Sequence, residues 1–219
     1  MQIDYLLFDL DDTLYPPSSG LWDAIGERIN QFLLDNIDIA PDAVKTVRDD
    51  LFHRFGTTLR GLQVEYGINP YKYLKSVHNV PLEAYLKPNP TLRNVLSQIK
   101  AHKVIFTNAD RNHALRVIGR LRLDGIFERV IDVMDVAPHC KPQPEAYTRA
   151  LNLLGDPLPS QCVVIDDSLR NIHAASELGF YTILVGSHDG HEVNASTVIG
   201  TLEDLQNLAE IPFMRGIWR

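Results

Sequence analysis

Three apolar runs in this 219-residue chain each end in residues whose side chains carry oxygen atoms. In chain order these residues are Asp9 and Asp11, then Thr107 and Asn108, then Asp166 and Asp167. Carboxylates crowded into one crevice repel each other, and some stay protonated unless a cation neutralises them. Oxygen ligands without His or Cys select a hard ion, and few protein ligands with room for water favour Mg²⁺ over Ca²⁺. The residues therefore predict a magnesium site if the fold brings them together.

The elements that must position these residues read as buried strands. The runs are Tyr5–Phe8, Val104–Phe106, Val163–Ile165 and Tyr181–Val185, with a weaker candidate at Arg129–Val133. They lack polar alternation, which is typical of parallel strands covered on both faces. Amphipathic helical stripes lie between them. This alternation predicts an α/β fold with a doubly wound, Rossmann-like parallel sheet, in which ligands bind at the carboxyl ends of the strands.

One segment interrupts the alternation of strands and helices. From about Leu21 to Val77 every apolar stripe has the period of a helix, and Pro-containing breakers flank the segment at Pro16–Gly20 and Leu86–Pro90. A further helical stripe near the C-terminus, Leu202, Leu205 and Leu208, is separate from it. We expect an inserted all-helical cap domain over residues 17–87 and an α/β core domain made of residues 1–16 and 88–219.

Composition narrows the classes of partner. With 21 basic and 28 acidic residues the formal net charge is −7, which argues against binding nucleic acid polymers or anionic membranes. No apolar stretch approaches the roughly 18 residues of a membrane span, and the N-terminus lacks the basic region of a secretory signal. Cys140 and Cys162 are too few for a disulfide framework. These features predict a cytoplasmic protein.

Two further segments have competing interpretations. The apolar C-terminal segment 211–219 either docks on its own domain or forms a homodimer contact. His188 and His191 give one loop a metal-like composition, although a solvated loop is the better interpretation.

Four motifs together resemble the signatures of the haloacid dehalogenase-like (HAD) superfamily. Phe8–Leu14 resembles the first, a hydrophobic residue followed by Asp-x-Asp-x-Thr-Leu. Thr107 matches the second, Lys141–Tyr147 the third and Val164–Ser168 the fourth. The motifs come in the family's order, and the resemblance extends to about Val185.

The resemblance implies phosphoryl transfer through an aspartyl-phosphate. Asp9 is then the nucleophile, and Asp11 the general acid and base, with a pKa raised by neighbouring carboxylates and partial burial. Mg²⁺ is held by the Asp9 carboxylate, the Asp11 backbone carbonyl and Asp167, with Asp166 acting through water.

The same resemblance implies a set of phosphate-binding groups. Thr107 and the backbone N–H groups around Asn108 hold the phosphoryl oxygens. Lys141, which we expect to open a helix, pairs with Asp9 and with the phosphate.

A narrower resemblance concerns the substrate. The segments Phe8–Pro16, Tyr66–Tyr73, Leu86–Pro90 and Ile105–Ala114 are similar to the pyrimidine 5′-nucleotidase group, apart from Ala109 where that group has glycine. The implied substrate is a small phosphorylated metabolite, a pyrimidine nucleoside 5′-monophosphate such as UMP or CMP. Five polar residues of the cap could face this substrate: His53, Arg54, Thr57, Thr58 and Arg60. A solvated helix face is the simpler interpretation for each of them.

Other functions remain as alternatives. A phosphatase or phosphomutase acting on another small metabolite, such as a sugar phosphate, uses the same nucleophile. A receiver-like signalling domain also places acidic residues, a Thr and a Lys at strand ends, but it lacks both the Asp-x-Asp-x-Thr unit and a large helical insertion. A catalytically silent binding protein that kept the site is a third alternative.

Overall fold

The computed structural model describes residues 2–186 and 195–218, so the His188–His191 loop lies outside the described residues. Its centre is a six-stranded sheet with all neighbouring pairs parallel, in the order β3-β2-β1-β4-β5-β6. The strands are β1 Tyr5–Phe8, β2 His102–Phe106, β3 Arg129–Ile131, β4 Cys162–Asp166, β5 Tyr181–Val185 and β6 Thr197–Ile199. The predicted doubly wound parallel sheet is confirmed.

Two strands differ from the sequence prediction. β3 ends at Ile131, two residues early, because the Asp132 side chain accepts hydrogen bonds from the backbone N–H groups of Met134 and Asp135 and turns the chain. β6 is an additional edge strand of three residues, too short for a periodic pattern to reveal.

The alternation of side chains along the central strands buries both faces of the sheet. In β1, Leu6 and Phe8 join one apolar cluster while Leu7 joins the cluster on the opposite face. β4 repeats this division with Ile165 on the first face and Val164 on the second. Because both faces are covered by helices, these strands contain no polar positions until they reach the carboxyl edge.

Eight α-helices accompany the sheet within the described residues. They are α1 Leu21–Asn36, α2 Val44–Phe55, α3 Thr58–Tyr66, α4 Pro70–Val77, α5 Pro90–Ser97, α6 Arg111–Leu121, α7 Pro144–Leu153 and α8 Leu169–Glu177. The C-terminal apolar stripe, predicted as a helix, forms a 3₁₀ helix over Leu202–Leu208. Reciprocal capping bonds between Thr201 and Asp204 lie at the start of this helix. None of the described helices has the length and apolar character needed to cross a bilayer.

The segment between β1 and α5 contains helices joined by turns and loops and no strand, as its periodicity predicts. Helices α1 to α4 fill it, and their apolar stripes bury Leu21, Ile25 and Leu33. Helices α2 and α3 pack closely at Gly61, where an added Cβ would lie 2.7 Å from the Leu51 side chain. A side chain at this position would push the two helices apart.

The C-terminal segment docks on its own domain, which is the simpler of the two predicted arrangements. The Lys100 backbone N–H donates to the Ile217 carbonyl at 2.6 Å, and Met214 and Ile217 are buried. The apolar composition of this segment is therefore used within the chain.

A group of hydrogen bonds joins the end of the helical insertion to α6. Arg116 donates to the carbonyls of His78 and Val80, and His78 Nδ1 lies 2.5 Å from Asp110 Oδ2. Burial by itself would raise the pKa of Asp110, but the hydrogen bond and charge of His78, with the His113 backbone N–H, lower it to about 2. The ionised carboxylate therefore stabilises the fold.

Replacing Asp110 with Asn should destabilise the protein in a pH-dependent way. Asn keeps the helix cap, so the change isolates the charge. Because the folded-state pKa lies below the ordinary value of 3.8, the stabilisation is fully present above about pH 4 and disappears as the pH falls towards 2. We expect a loss of about 1–2 kcal/mol in the free energy of urea unfolding at pH 7, a difference that shrinks below about pH 4 and vanishes only below about pH 2. The exposed Asp42→Asn variant is the control, and a loss that is constant with pH would contradict this account.

Candidate active site

The carboxylates from two distant stretches of the chain meet at the carboxyl edge of the sheet. The Asp9 backbone N–H donates to the Ile165 carbonyl, so Asp9 lies where β1 adjoins β4, the point at which the strand order reverses. One oxygen from each of Asp9, Asp166 and Asp167 lies within 4.8 Å of the others. The predicted convergence of these residues is present.

Lys141 is the cation at the centre of this cluster. Its side chain is almost fully buried, and Nζ lies 2.7 Å from Asp9 Oδ1 and 2.7 Å from Asp166 Oδ2. Burial alone would lower the pKa of Lys141, but the two carboxylates hold it above its ordinary range. The predicted pairing with Asp9 is observed. Lys141 does not open a helix, however, because α7 begins three residues later at Pro144.

Asn108 fixes the backbone of Lys141. The Asn108 side-chain oxygen accepts from the Lys141 N–H at 2.9 Å, and its Nδ2 donates to the Lys141 carbonyl at 2.9 Å. Asn108, which directly follows Thr107 of the second motif, therefore holds Lys141 of the third motif in place.

Asp166 is held rigidly by the helix that follows it. Its oxygens accept from Asn171 Nδ2, at 3.0 Å each, and from the Ser168 backbone N–H at 2.8 Å. The side chain is 1% exposed, and its second oxygen also accepts from Lys141 Nζ.

Asp167 is held by Thr13 through a reciprocal pair of bonds. Thr13 Oγ1 donates to Asp167 Oδ1 at 3.0 Å and accepts from the Asp167 backbone N–H at 3.1 Å. Burial and the charge of Asp166 raise the pKa of Asp167 to about 6. Thr13 belongs to the first motif, but its role as the partner of Asp167 cannot be read from the spacing.

The electrostatics of the cluster suit a divalent cation. Burial, together with Asp166 and Asp167, raises the pKa of Asp9 well above its ordinary value, although Lys141 opposes this shift. Asp9 and Asp167, two buried carboxylates that resist ionisation, form with Asp166 an all-oxygen donor set of the kind that hard cations stabilise. Asp9, Asp166 and Asp167 therefore fit the predicted Mg²⁺.

Asp11 departs from its prediction. Burial alone would raise its pKa, but the charge and hydrogen bond of His113, with smaller contributions from His78 and Tyr15, lower it. The prediction of a raised pKa is wrong for this state of the protein. It failed because His113 and His78 lie 102 and 67 residues away in sequence, and only the fold brings them together. The Asp11 carboxylate is also absent from the cluster of Asp9, Asp166 and Asp167 oxygens. This agrees with the prediction that Asp11 contacts the metal through its backbone carbonyl and not through its side chain.

Thr107 directly follows β2, and its side chain is buried beside a cavity that lies above the carboxylate cluster. Its Oγ1 accepts from the Ala109 N–H at 3.0 Å, which leaves the hydroxyl proton available to a ligand oxygen. Asp12 lies in a turn with a left-handed φ of 56°.

A cavity of about 480 Å³ lies above the carboxylate cluster and is lined by both the helical insertion and the sheet edge. Among the five polar residues considered in the insertion, Thr57 and Thr58 line it, whereas His53, Arg54 and Arg60 do not. Arg54 instead pairs with Asp50 and Glu65.

Three lining residues were missed by sequence reasoning. Trp22 is 41% exposed and lines the cavity, as does Phe52 from α2. Arg170 lies over the Phe52 ring, with 4.7 Å between its Cζ and the ring centroid. Its Nη1 is buried without a hydrogen-bond partner among the described residues. Because helical spacing is the same for core and cavity-facing aromatics, the sequence carries no signal that separates them.

Comparisons with known proteins agree with this geometry. Residues 3–179 match the family model of the haloacid dehalogenase-like hydrolases. Phosphate metabolism protein 8 of Saccharomyces cerevisiae is 26% identical over 78% of this chain, which spans only 58% of that protein's length. The pyrophosphatase PpaX of Bacillus cereus is 28% identical over 84% of both chains. The structure of the HAD-hydrolase YfnB from Bacillus subtilis bound to magnesium shares the fold, with a TM-score of 0.62 and 20% identity over 96% of this chain and 100% of that one.

The chain belongs to the haloacid dehalogenase-like hydrolase family. It is an enzyme, a phosphatase of this family, as its four ordered motifs predicted. A receiver-like signalling domain is not compatible with this assignment.

Replacing Lys141 with Met should destabilise the fold strongly. The substitution leaves two buried carboxylates without their cation, and breaking such a pair costs about 3–5 kcal/mol. The loss should appear as a lower urea midpoint at pH 7 and shrink at acid pH, where the carboxylates are neutral. Lys45→Met, at an exposed lysine paired with Asp49, should leave the midpoint unchanged. Equal midpoints for the two variants would contradict the role given to Lys141.

Proposed function

We propose that this protein is a Mg²⁺-dependent phosphomonoester hydrolase that works through an aspartyl-phosphate on Asp9. The observation that carries the proposal is the cluster of Asp9, Asp166 and Asp167 oxygens within 4.8 Å, with Lys141 bonded to Asp9. This arrangement supports Asp9 as a nucleophile beside a set of groups that could bind a cation and a phosphate.

The residues proposed to hold Mg²⁺ are the Asp9 and Asp167 carboxylates and the Asp11 backbone carbonyl, with Asp166 supporting the site. Bound there, Mg²⁺ would neutralise part of the phosphate charge and orient the phosphoryl group. Thr107, the N–H groups around Asn108, and Lys141 would hold the phosphoryl oxygens that gain charge in the transition state.

The covalent steps follow from the positions of two carboxylates. Asp9 attacks phosphorus, the bond from phosphorus to the leaving oxygen breaks, and that oxygen takes a proton from Asp11. In the second half Asp11 accepts a proton from water, whose oxygen attacks phosphorus and releases inorganic phosphate from Asp9. The pKa of Asp11 is lowered in the free protein, which suits the base. The dianionic substrate brings negative charge that raises this pKa, which suits the acid.

A pyrimidine nucleoside 5′-monophosphate is the proposed substrate. The motif resemblance reaches the helical insertion, which we propose acts as a cap over residues 17–87, with residues 1–16 and 88–219 as the core. The cavity of about 480 Å³ has room for a nucleoside beyond the phosphate. Trp22 and Phe52 offer aromatic surface, and Arg170 Nη1 offers a buried donor for a carbonyl oxygen of the base.

Asp9→Asn should abolish turnover while leaving the fold intact. The amide is isosteric but a poor nucleophile, so phosphate release from p-nitrophenyl phosphate should fall below about 1% of wild type, equivalent to about 3 kcal/mol of barrier. Circular dichroism and the urea midpoint show whether the fold is retained. Residual activity well above that level in a folded variant would contradict the covalent mechanism.

A panel of phosphate esters at equal concentration tests the substrate. UMP and CMP should be hydrolysed faster than dTMP, AMP, GMP, sugar phosphates and pyrophosphate. Arg170→Ala should raise KM for UMP about tenfold or more and change kcat/KM for p-nitrophenyl phosphate little, because that ester lacks the carbonyl acceptors. Arg93→Ala, whose guanidinium bonds to the Arg122 and Asp124 carbonyls, is the control. A preference for purines, sugar phosphates or pyrophosphate would overturn this substrate but not the phosphatase.

A further inference from the structure

The two oxygens of the Asp11 carboxylate have different surroundings. Oδ1 accepts from the Tyr15 hydroxyl at 2.5 Å and lies 2.9 Å from His113 Nε2. Oδ2 has no hydrogen-bond partner among the contacts found within the described part of the chain. Burial and the charge of Asp11 raise the pKa of Tyr15, so its hydroxyl keeps the proton that it donates.

His113 can serve Asp11 only as a donor from Nε2. The side chain is fully buried in the first turn of α6, and its Nδ1 finds no partner among residues 2–186 and 195–218. A buried N–H without an acceptor is costly, so the ring proton belongs on Nε2, where Asp11 accepts it.

The His113 ring is held from two sides. The His78 ring stacks on it, with 4.2 Å between centroids and 16° between planes. Asp110 joins both residues, since Oδ1 accepts from the His113 backbone N–H and Oδ2 lies 2.5 Å from His78 Nδ1. His78 follows α4 at the end of the helical insertion. The orientation of Asp11 therefore depends on a contact between the insertion and α6.

We propose that His113 and Tyr15 are positioning residues that fix the Asp11 carboxylate so that Oδ2 is the oxygen that exchanges protons during the reaction. An Oδ1 that already accepts two donors has no lone pair left for a third hydrogen. Oδ2 is then the oxygen that delivers a proton to the leaving oxygen and later receives one from water. This inference rests on the proposed phosphatase function.

A series of leaving groups tests this positioning role directly. Dinitrophenolate leaves without needing a proton, whereas the alkoxide of an alkyl ester such as glycerol phosphate depends on the acid. His113→Leu removes the donor, and His113→Gln restores an amide donor with similar reach. We expect His113→Leu to lower kcat/KM, which reports the phosphorylation of Asp9 and not the hydrolysis common to both esters, by about 100-fold for glycerol phosphate and by less than about threefold for 2,4-dinitrophenyl phosphate. His113→Gln should recover at least tenfold of the larger loss.

Two further variants keep the test informative. Tyr15→Phe removes the other donor to Oδ1 and should show the same selective loss, even if His113→Leu does not fold. His102→Gln, at an exposed histidine paired with Glu128, should behave as wild type. The selective effect cannot arise from a general loss of folded enzyme, because such a loss would lower the activity on both esters equally.

Equal losses of kcat/KM on both esters would overturn the positioning role and leave only a packing role. So would a His113→Gln variant whose kcat/KM for glycerol phosphate is as low as that of His113→Leu. That outcome differs from failure of the proposed function, in which the wild-type protein with Mg²⁺ releases phosphate from neither ester.

Discussion

The burial of several carboxylates beside one lysine is the constraint on which the rest of the structure depends. Asp9 and Asp166 share the Lys141 ammonium at 2.7 Å each, and Asp167 lies next to them with its pKa raised to about 6. One internal cation cannot offset this much negative charge, which is costly in a low-dielectric site. The surrounding amides and hydroxyls, including those of Asn108, Thr13 and Asn171, hold the charged groups in place around this excess of negative charge.

The fold supplies this site by bringing strand ends together. Parallel strands buried on both faces confine their polar residues to one edge, and the reversal of strand order at β1 and β4 opens a crevice there. The helical insertion lines the crevice with the aromatic side chains of Trp22 and Phe52. Asp110, His78 and Arg116 connect that surface to the α/β part of the chain.

The strand positions, the helical insertion and the convergence of Asp9 with Asp167 follow from sequence because each depends on local periodicity and on the edge geometry of parallel sheets. The environment of Asp11 does not, since it is created by His113 and His78 through tertiary packing. The same limit applies to Trp22 and Arg170, whose side chains face the cavity although their spacing is also compatible with a core or solvated position. Residue types predict the chemistry of the site, whereas protonation and specificity depend on neighbours that are remote in the chain.

A calorimetric titration of the metal-free protein with Mg²⁺ tests the central claim most directly. The account predicts one ion bound per chain, with affinity at least about tenfold weaker in Asp167→Asn and unchanged in Asp49→Asn, a cavity-lining aspartate outside the carboxylate cluster. Wild-type protein that binds no ion, or an Asp167→Asn variant that binds it as tightly as wild type, would contradict the account.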